Sequence, residues 1–211
     1  MEPTEKDPVR RKDRERERHR AEILGAAERV FARDGFHGTT VESIAKEAEF
    51  AVGTIYNFFN SKDDLYAEVL YRITDEFMEE MERDVLTVTD PAAALGAVFD
   101  LRVKLDTKHG DFFRLLFEGG PRGSEEVHAR MRQFFEKYIE ALRALIERGV
   151  REGVFKKEDP LYVAFIIHGI STAMTLYWTI VRPGASMAEL VERTKAGFLA
   201  GLLVRVPEAK G

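Results

Sequence analysis

Apolar residues recur along this chain at spacings of three and four, and the polar and glycine-rich stretches between them mark where each run stops. Residues 1–20 carry almost no apolar side chains, so this start is expected to be disordered until it joins the first helix. Ile23, Leu24, Ala27, Val30 and Phe31 form the first amphipathic stripe, and Gly35 is the expected stop. Thr39 and Glu42 then spell a capping box ahead of Val41, Ile44, Ala45 and Ala48, the stripe of a two-turn helix. A helix that short is unstable alone in water, so Phe50 and Ile55 are expected to pack against it across a tight corner. In the following VGTIYNFF, Val52, Ile55 and Phe59 can face inward, leaving Gly53, Thr54, Tyr56 and Asn57 outward. Ser61 with Asp64 caps a long helix whose Leu65, Val69, Ile73, Phe77 and Met81 run along one face to about Leu86.

The remainder is helical by the same criteria. Asp90 before Pro91 opens a helix from Ala92 to about Asp106, and Gly110 is expected to separate it from a short segment, DFFRLLFEGG. Ser124 caps a helix to about Glu152, stopped by Gly153, with Val127, Met131, Phe134, Phe135, Tyr138, Leu142, Leu145 and Ile146 inward. Asp159 and Pro160 start the most apolar run of the chain. His168 and several hydroxyls interrupt that run, which disfavours a membrane span and favours a helix buried on all sides by a partner surface. Ser186 with Glu189 opens a last helix to about Val204, and this helix with its predecessor suits a four-helix dimer interface. The expected fold is all-α, about nine helices: a three-helix head over residues 1–62 on a larger helical body over 63–211.

Composition narrows the function. The absence of cysteine excludes disulfides and thiolate metal sites, and the charged N-terminus lacks the apolar run of a signal peptide, so a cytoplasmic location is expected. The net charge of −5 is unevenly spread: residues 1–62 hold 12 basic and 12 acidic residues, the rest 20 and 25. Any affinity for nucleic acid must therefore come from where individual cations sit. Candidates are Lys46, Lys62 and the seven basic residues from Arg10 to Arg20, a solvated tail or an arm touching phosphates or the minor groove.

The outward set after the corner suits DNA. Gly53 lets a backbone approach, Thr54 and Tyr56 can donate to phosphates, and Asn57 has the paired donor and acceptor that base edges accept. Lys62 sits in the first turn of its helix, where the dipole disfavours a cation, and so asks for an anion nearby. A plain helical hairpin with a wet face fits the same pattern. Thr39, Thr40, Val41, Ile44, Ala45, Ala48, Gly53, Thr54, Tyr56, Phe59, Ser61, Lys62 and Leu65 together resemble the helix-turn-helix of the tetracycline-repressor-like (TetR) family. Two positions depart from its pattern. Glu49 stands where the family usually has the turn glycine, and Ala51 where it usually has a capping serine.

The resemblance implies a ligand-responsive transcriptional regulator, most simply a repressor, with no catalysis and no cofactor. It would bind a palindromic double-stranded operator as a homodimer, away from any membrane. It also makes Thr40, Gly53, Thr54, Tyr56 and Lys62 backbone-contact positions, with Asn57 the base reader. For the body, Phe112, Phe113, Phe117, Phe165, His168, Met174, Tyr177 and Trp178 offer an aromatic and thioether lining for an apolar or amphipathic effector, although each also suits a core. Glu125 and His128 form one E-x-x-H, where a di-iron bundle needs two, and GGPRGS lacks the lysine of a phosphate loop. The alternative is a helical ligand-binding or enzymatic protein with a vestigial head.

Overall fold

The computed structural model describes residues 8–119, 125–178 and 187–204. They form eight α-helices: α1 (Pro8–Gly38), α2 (Val41–Glu47), α3 (Val52–Tyr56), α4 (Lys62–Glu80), α5 (Pro91–Gly119), α6 (Glu125–Arg151), α7 (Pro160–Leu176) and α8 (Met187–Leu202). A π-helical turn, Met81–Leu86, extends α4 without a break. The expected caps at Ser124 and Ser186 and the turn after Gly119 lie outside the described residues.

Helix α1 begins far earlier than its apolar stripe. Arg and Glu are good helix formers, and Arg18 and Glu22 pair one turn apart at 3.7 Å, so the charged stretch expected to be disordered is helical from Pro8. Residues 11–18 are nonetheless exposed. Gly35, at φ 71°, ends the regular helix where expected.

The cap of α2 is one residue later than its sequence suggests. Thr40 accepts from the Ser43 amide and the Ser43 hydroxyl accepts from the Thr40 amide, both at 3.1 Å, so Ser43 takes the place assigned to Glu42. Thr39 is buried instead, its hydroxyl donating to the Gly35 carbonyl at 2.7 Å. Closing the end of α1 uses up Thr39, and the box shifts to the next hydroxyl.

Two apolar cores result. The head core joins Ile23, Leu24, Ala27, Val30 and Phe31 of α1 with Ile44, Ile55, Phe59 and the first turns of α4. The body core joins Phe77, Met81 and Val85 with α5, α6, α7 and parts of α8. Helix α5 reaches both, because Phe112 near its end packs in the head core, with Tyr66 at 5.6 Å.

Helix α5 is also continuous where a break at Gly110 was expected, so the body has one helix fewer. A Cβ at Gly110 would lie 2.8 Å from Cζ3 of Trp178. This glycine admits an indole ring from the end of α7 and leaves the helix intact.

The Asp159 side chain caps α7 as expected, accepting from the Leu161 amide at 2.9 Å. Val163, Ala164, Ile167 and Met174 face the core, whereas Leu161, Tyr162, Phe165, Leu176 and Tyr177 are exposed along its outer side. Among the described residues no helix is long and apolar enough to cross a membrane.

Candidate nucleic-acid interface

The short α3 is anchored chiefly by Ile55, its one buried residue, with Val52 partly buried against the same core. Ile55 is fully buried, and Phe59 just beyond the helix is nearly so, which turns Tyr56 and Asn57 outward with Gly53. Thr54 is half-buried beside them, and its amide closes the first turn on the Ala51 carbonyl at 2.8 Å. Both departures from the family pattern are visible in the local geometry. Glu49 takes a left-handed φ of 59°, the sole positive value at a non-glycine among the described residues. Ala51 caps α3 with no side-chain hydrogen bond. The corner keeps its shape regardless, because the Phe50 amide reaches the Ala45 carbonyl at 3.0 Å and α2 is clasped to α1 by Arg29, whose Nε donates to Glu47 at 2.9 Å. That hydrogen bond, aided by Arg33, holds the Glu47 carboxyl below its usual range.

Thr40 is exposed at the start of α2. Its oxygen accepts the cap bond, so its own hydroxyl hydrogen can still be donated outward. Lys62 finds its negative partners inside the protein: Nζ donates to the carbonyls of Phe36 at 2.8 Å and Thr39 at 2.9 Å, and sits 4.6 Å from the centre of the Phe36 ring. These oxygens lie at the negative end of α1, which explains a lysine at the start of α4. One of its three N–H groups is left over.

The helical arm borders the same face. Arg16 lies over Phe58 at 5.5 Å and Arg20 over Phe59 at 5.4 Å, while Arg20 also pairs with Glu68. Lys12, Arg16 and His19 line a groove of about 540 Å³ with Asn57 and Phe58, in which Asp13 and Glu15 balance the cations. The side chain of Arg10 lies outside the described residues.

The aromatic set assigned to an effector falls in three places. Phe112 belongs to the head core, and Phe113 lies between the Arg102 guanidinium, 5.1 Å from its ring centre, and His109. Met174 and Trp178 are in the body core, with His168 half-buried against Phe135 and Tyr138 at 4.9 and 5.8 Å. Phe165 and Tyr177 are exposed on α7, and the Phe117 side chain lies outside the described residues.

The body interior holds a polar cluster that the hydropathy pattern does not reveal. Asp106 is completely buried; Arg102 Nε donates to its Oδ2 at 3.1 Å, and the Thr175 hydroxyl donates to the same oxygen at 2.5 Å. Arg102 also donates to the Thr175 oxygen at 2.7 Å, so α5 and α7 are bound through it. Burial pushes the Asp106 carboxyl above its usual range against the pull of Arg102 and Thr175. Burial likewise pushes the Tyr138 phenol up to about 12 and, with Arg102, pushes the His168 imidazole down. The i, i+4 spacing of Arg102 and Asp106 is visible in the sequence, but it looks like any exposed helical pair.

Comparison with known proteins places these features together. Residues 23–69 match the family described as bacterial regulatory proteins, tetR family, and residues 88–179 match the tetracyclin repressor-like C-terminal domain. The chain is 29% identical over 187 residues to the uncharacterized HTH-type transcriptional regulator YhgD of Bacillus subtilis, spanning 87% of this chain and 93% of that one. It is 25% identical over 136 residues to the fatty acid metabolism regulator protein of the same species, spanning 64% and 70%. Among solved structures, a TetR transcription regulator from Haloarcula marismortui shares the fold at a TM-score of 0.77, with 24% identity over 89% of this chain and all of its own. The transcriptional regulator FadR from Bacillus subtilis, in complex with stearoyl-CoA, does so at 0.74, with 21% identity over 86% and 98%.

Proposed function

Because the chain belongs to the tetR family of bacterial regulatory proteins, and is a transcriptional regulator and not an enzyme, we propose that it represses transcription as a homodimer on a two-fold-symmetric operator and leaves DNA when an apolar or amphipathic effector binds its body. The observation that carries this reading is the outer face of α3, where Gly53, Tyr56 and Asn57 are exposed around a buried Ile55, beside Thr54. In it, Asn57 reads a base edge. Thr40, Gly53, Thr54, Tyr56 and the remaining N–H of Lys62 meet the phosphate backbone and set the register. The protein would act in the cytoplasm, where its operator is.

Dimerisation is supported by α7. Leu161, Phe165 and Leu176, with Tyr162 and Tyr177, form an exposed apolar face that a second copy would cover. The two α3 helices of such a dimer must enter major grooves about 34 Å apart, so a ligand that shifts the body changes the fit. Operator and effector then weaken each other's binding by the same factor. For the effector class, the fatty acid regulator relative and the neighbour solved with stearoyl-CoA favour a long acyl chain.

Selection of bound fragments from random duplex DNA at near-physiological salt tests this. A two-fold-symmetric site is expected, with binding that falls steeply as salt rises; absence of enrichment at every salt concentration overturns the reading.

A further inference from the structure

A second buried polar group joins the head to the body. His109 of α5 is almost wholly enclosed, and its Nδ1–H donates to Glu28 Oε1 of α1 at 2.5 Å. Glu28 is held from its other oxygen by Arg72 of α4. On the far side of the ring, Nε2 lies 3.4 Å from Glu76 Oε2, and Glu76 is itself paired with Lys108. One buried imidazole therefore faces two carboxylates, one from the head helix α1 and one from α4, with Arg72 and Lys108 balancing their charge. Burial pulls the Glu76 carboxyl up, but Lys108 and His109 outweigh it and hold it below its usual range.

Arg102, Asp106, His109 and Phe113 follow one another at i, i+4, i+7 and i+11 and so share one face of α5. Phe113 touches the last link on each side, its ring centre lying 5.1 Å from the Arg102 guanidinium and 6.5 Å from the His109 ring centre. The α5–α7 cluster in the body and the α1–α5 hydrogen bond are thus two ends of one stripe. They are about 10 Å apart along the helix at 1.5 Å per residue. A shift or rotation of α5 that disturbs Arg102 and Asp106 must also move the imidazole that holds Glu28.

We propose that His109 is a positioning residue: through Glu28 it sets the angle of the DNA-reading head on α5 and carries to it any rearrangement of the Arg102–Asp106–Thr175 cluster. This deepens the reading of the protein as an operator-binding regulator and rests on it. A charge-assisted hydrogen bond to a carboxylate is strong and directional, whereas hydrophobic attraction by itself has no direction.

The chain has no cysteine, so a clean test is available. Nitroxides placed at Glu42→Cys on α2 and Glu136→Cys on α6, both exposed, in protein diluted with unlabelled chain, report the head-to-body distance by pulsed electron resonance. His109→Phe keeps the ring but removes the donor; it is expected to broaden or shift that distance and to weaken binding to the selected duplex about tenfold. His109→Gln, which can still donate to Glu28, is expected to restore the wild-type distance and most of the affinity. A merely structural histidine would lower the melting temperature of His109→Phe and leave the distance distribution on that of the wild type. That outcome, or a failure of His109→Gln to restore the distance, overturns the proposal. Wild-type protein that binds no duplex overturns the regulator reading instead, and the distance measurement still decides the role of His109.

Discussion

The head and the body treat polar side chains in opposite ways. Among the described residues of the head, Thr39 is the one buried polar side chain, and its hydroxyl completes the end of a helix. The polar side chains proposed to meet DNA lie outside, on α3 and the start of α2. In the body Asp106, His109, Ser171 and Thr175 are all buried, and the exposed outer side of α7 is apolar. The head is built as a rigid surface whose shape matters more than its interior. The body has a hydrogen-bonded polar interior and an apolar exterior suited to protein contact. The bonds inside link α5 to α7 and to α1, so a displacement of one helix bears on the others.

Truncating the small head core should expose this contrast most strongly. Ile55→Ala is expected to cost about 3 kcal/mol in urea unfolding and to abolish DNA binding, because it is the buried anchor of a five-residue helix. Phe165→Ala, on the open face of α7, should cost the monomer less than about 0.5 kcal/mol; equal losses at the two sites would contradict the contrast.

Lys62→Met keeps the stem but removes the donors to Phe36 and Thr39. A loss of about 2 kcal/mol is expected, since two carbonyls at the end of α1 lose a charged partner. A loss of DNA affinity without any loss of stability would instead make Lys62 a phosphate contact alone.

The polar interior of the body is probed by pH. Because the Asp106 carboxyl is raised in the fold, the folded state holds that proton more tightly than the unfolded chain. Its contribution to stability is therefore full below the unfolded value of about 3.9 and is lost as pH rises through the raised folded value. Asp106→Asn, which keeps an oxygen for Arg102 and Thr175, should gain on the wild type as pH climbs from about 4, by at most about 1.4 kcal/mol per pH unit. Parallel stability curves would show that burial does not dominate at this carboxyl.

The smallest effect belongs to the corner. Ala51→Ser supplies the missing cap of α3 and should stabilise the head by about 0.5–1 kcal/mol in the same urea measurement. No gain would mean that the α3 amides are already satisfied by their neighbours.

The helices of the head were legible because they depend on short-range rules, and its identity because the motif from Thr39 to Leu65 resembles a known family. Gly35 as a stop, Ser61 as a cap and Ile55 inward with Tyr56 and Asn57 outward follow from spacings of four residues or fewer, as does the Asp159 cap in the body, whereas the left-handed Glu49 follows from the family pattern. Errors arose where two local solutions competed and a distant contact chose between them. Thr39 and Thr40 both suit a cap, and the open carbonyl of Gly35 claimed the first. Gly110 suits a stop, and Trp178, far along the chain, made it a packing site. The charged start of α1 seemed too polar to fold, yet the helix already begun at Ile23 propagates cheaply into good helix formers.

Local periodicity and capping chemistry were thus enough for the presence of most helices and for the outward residues of α3, since each is a property of neighbours in the chain. The tertiary structure alone settled which polar groups meet inside. Asp106 finds Thr175 across 69 residues and His109 finds Glu28 across 81. Nothing in a helical repeat distinguishes such residues from charges facing water, because burial is decided by the other helices that close over them.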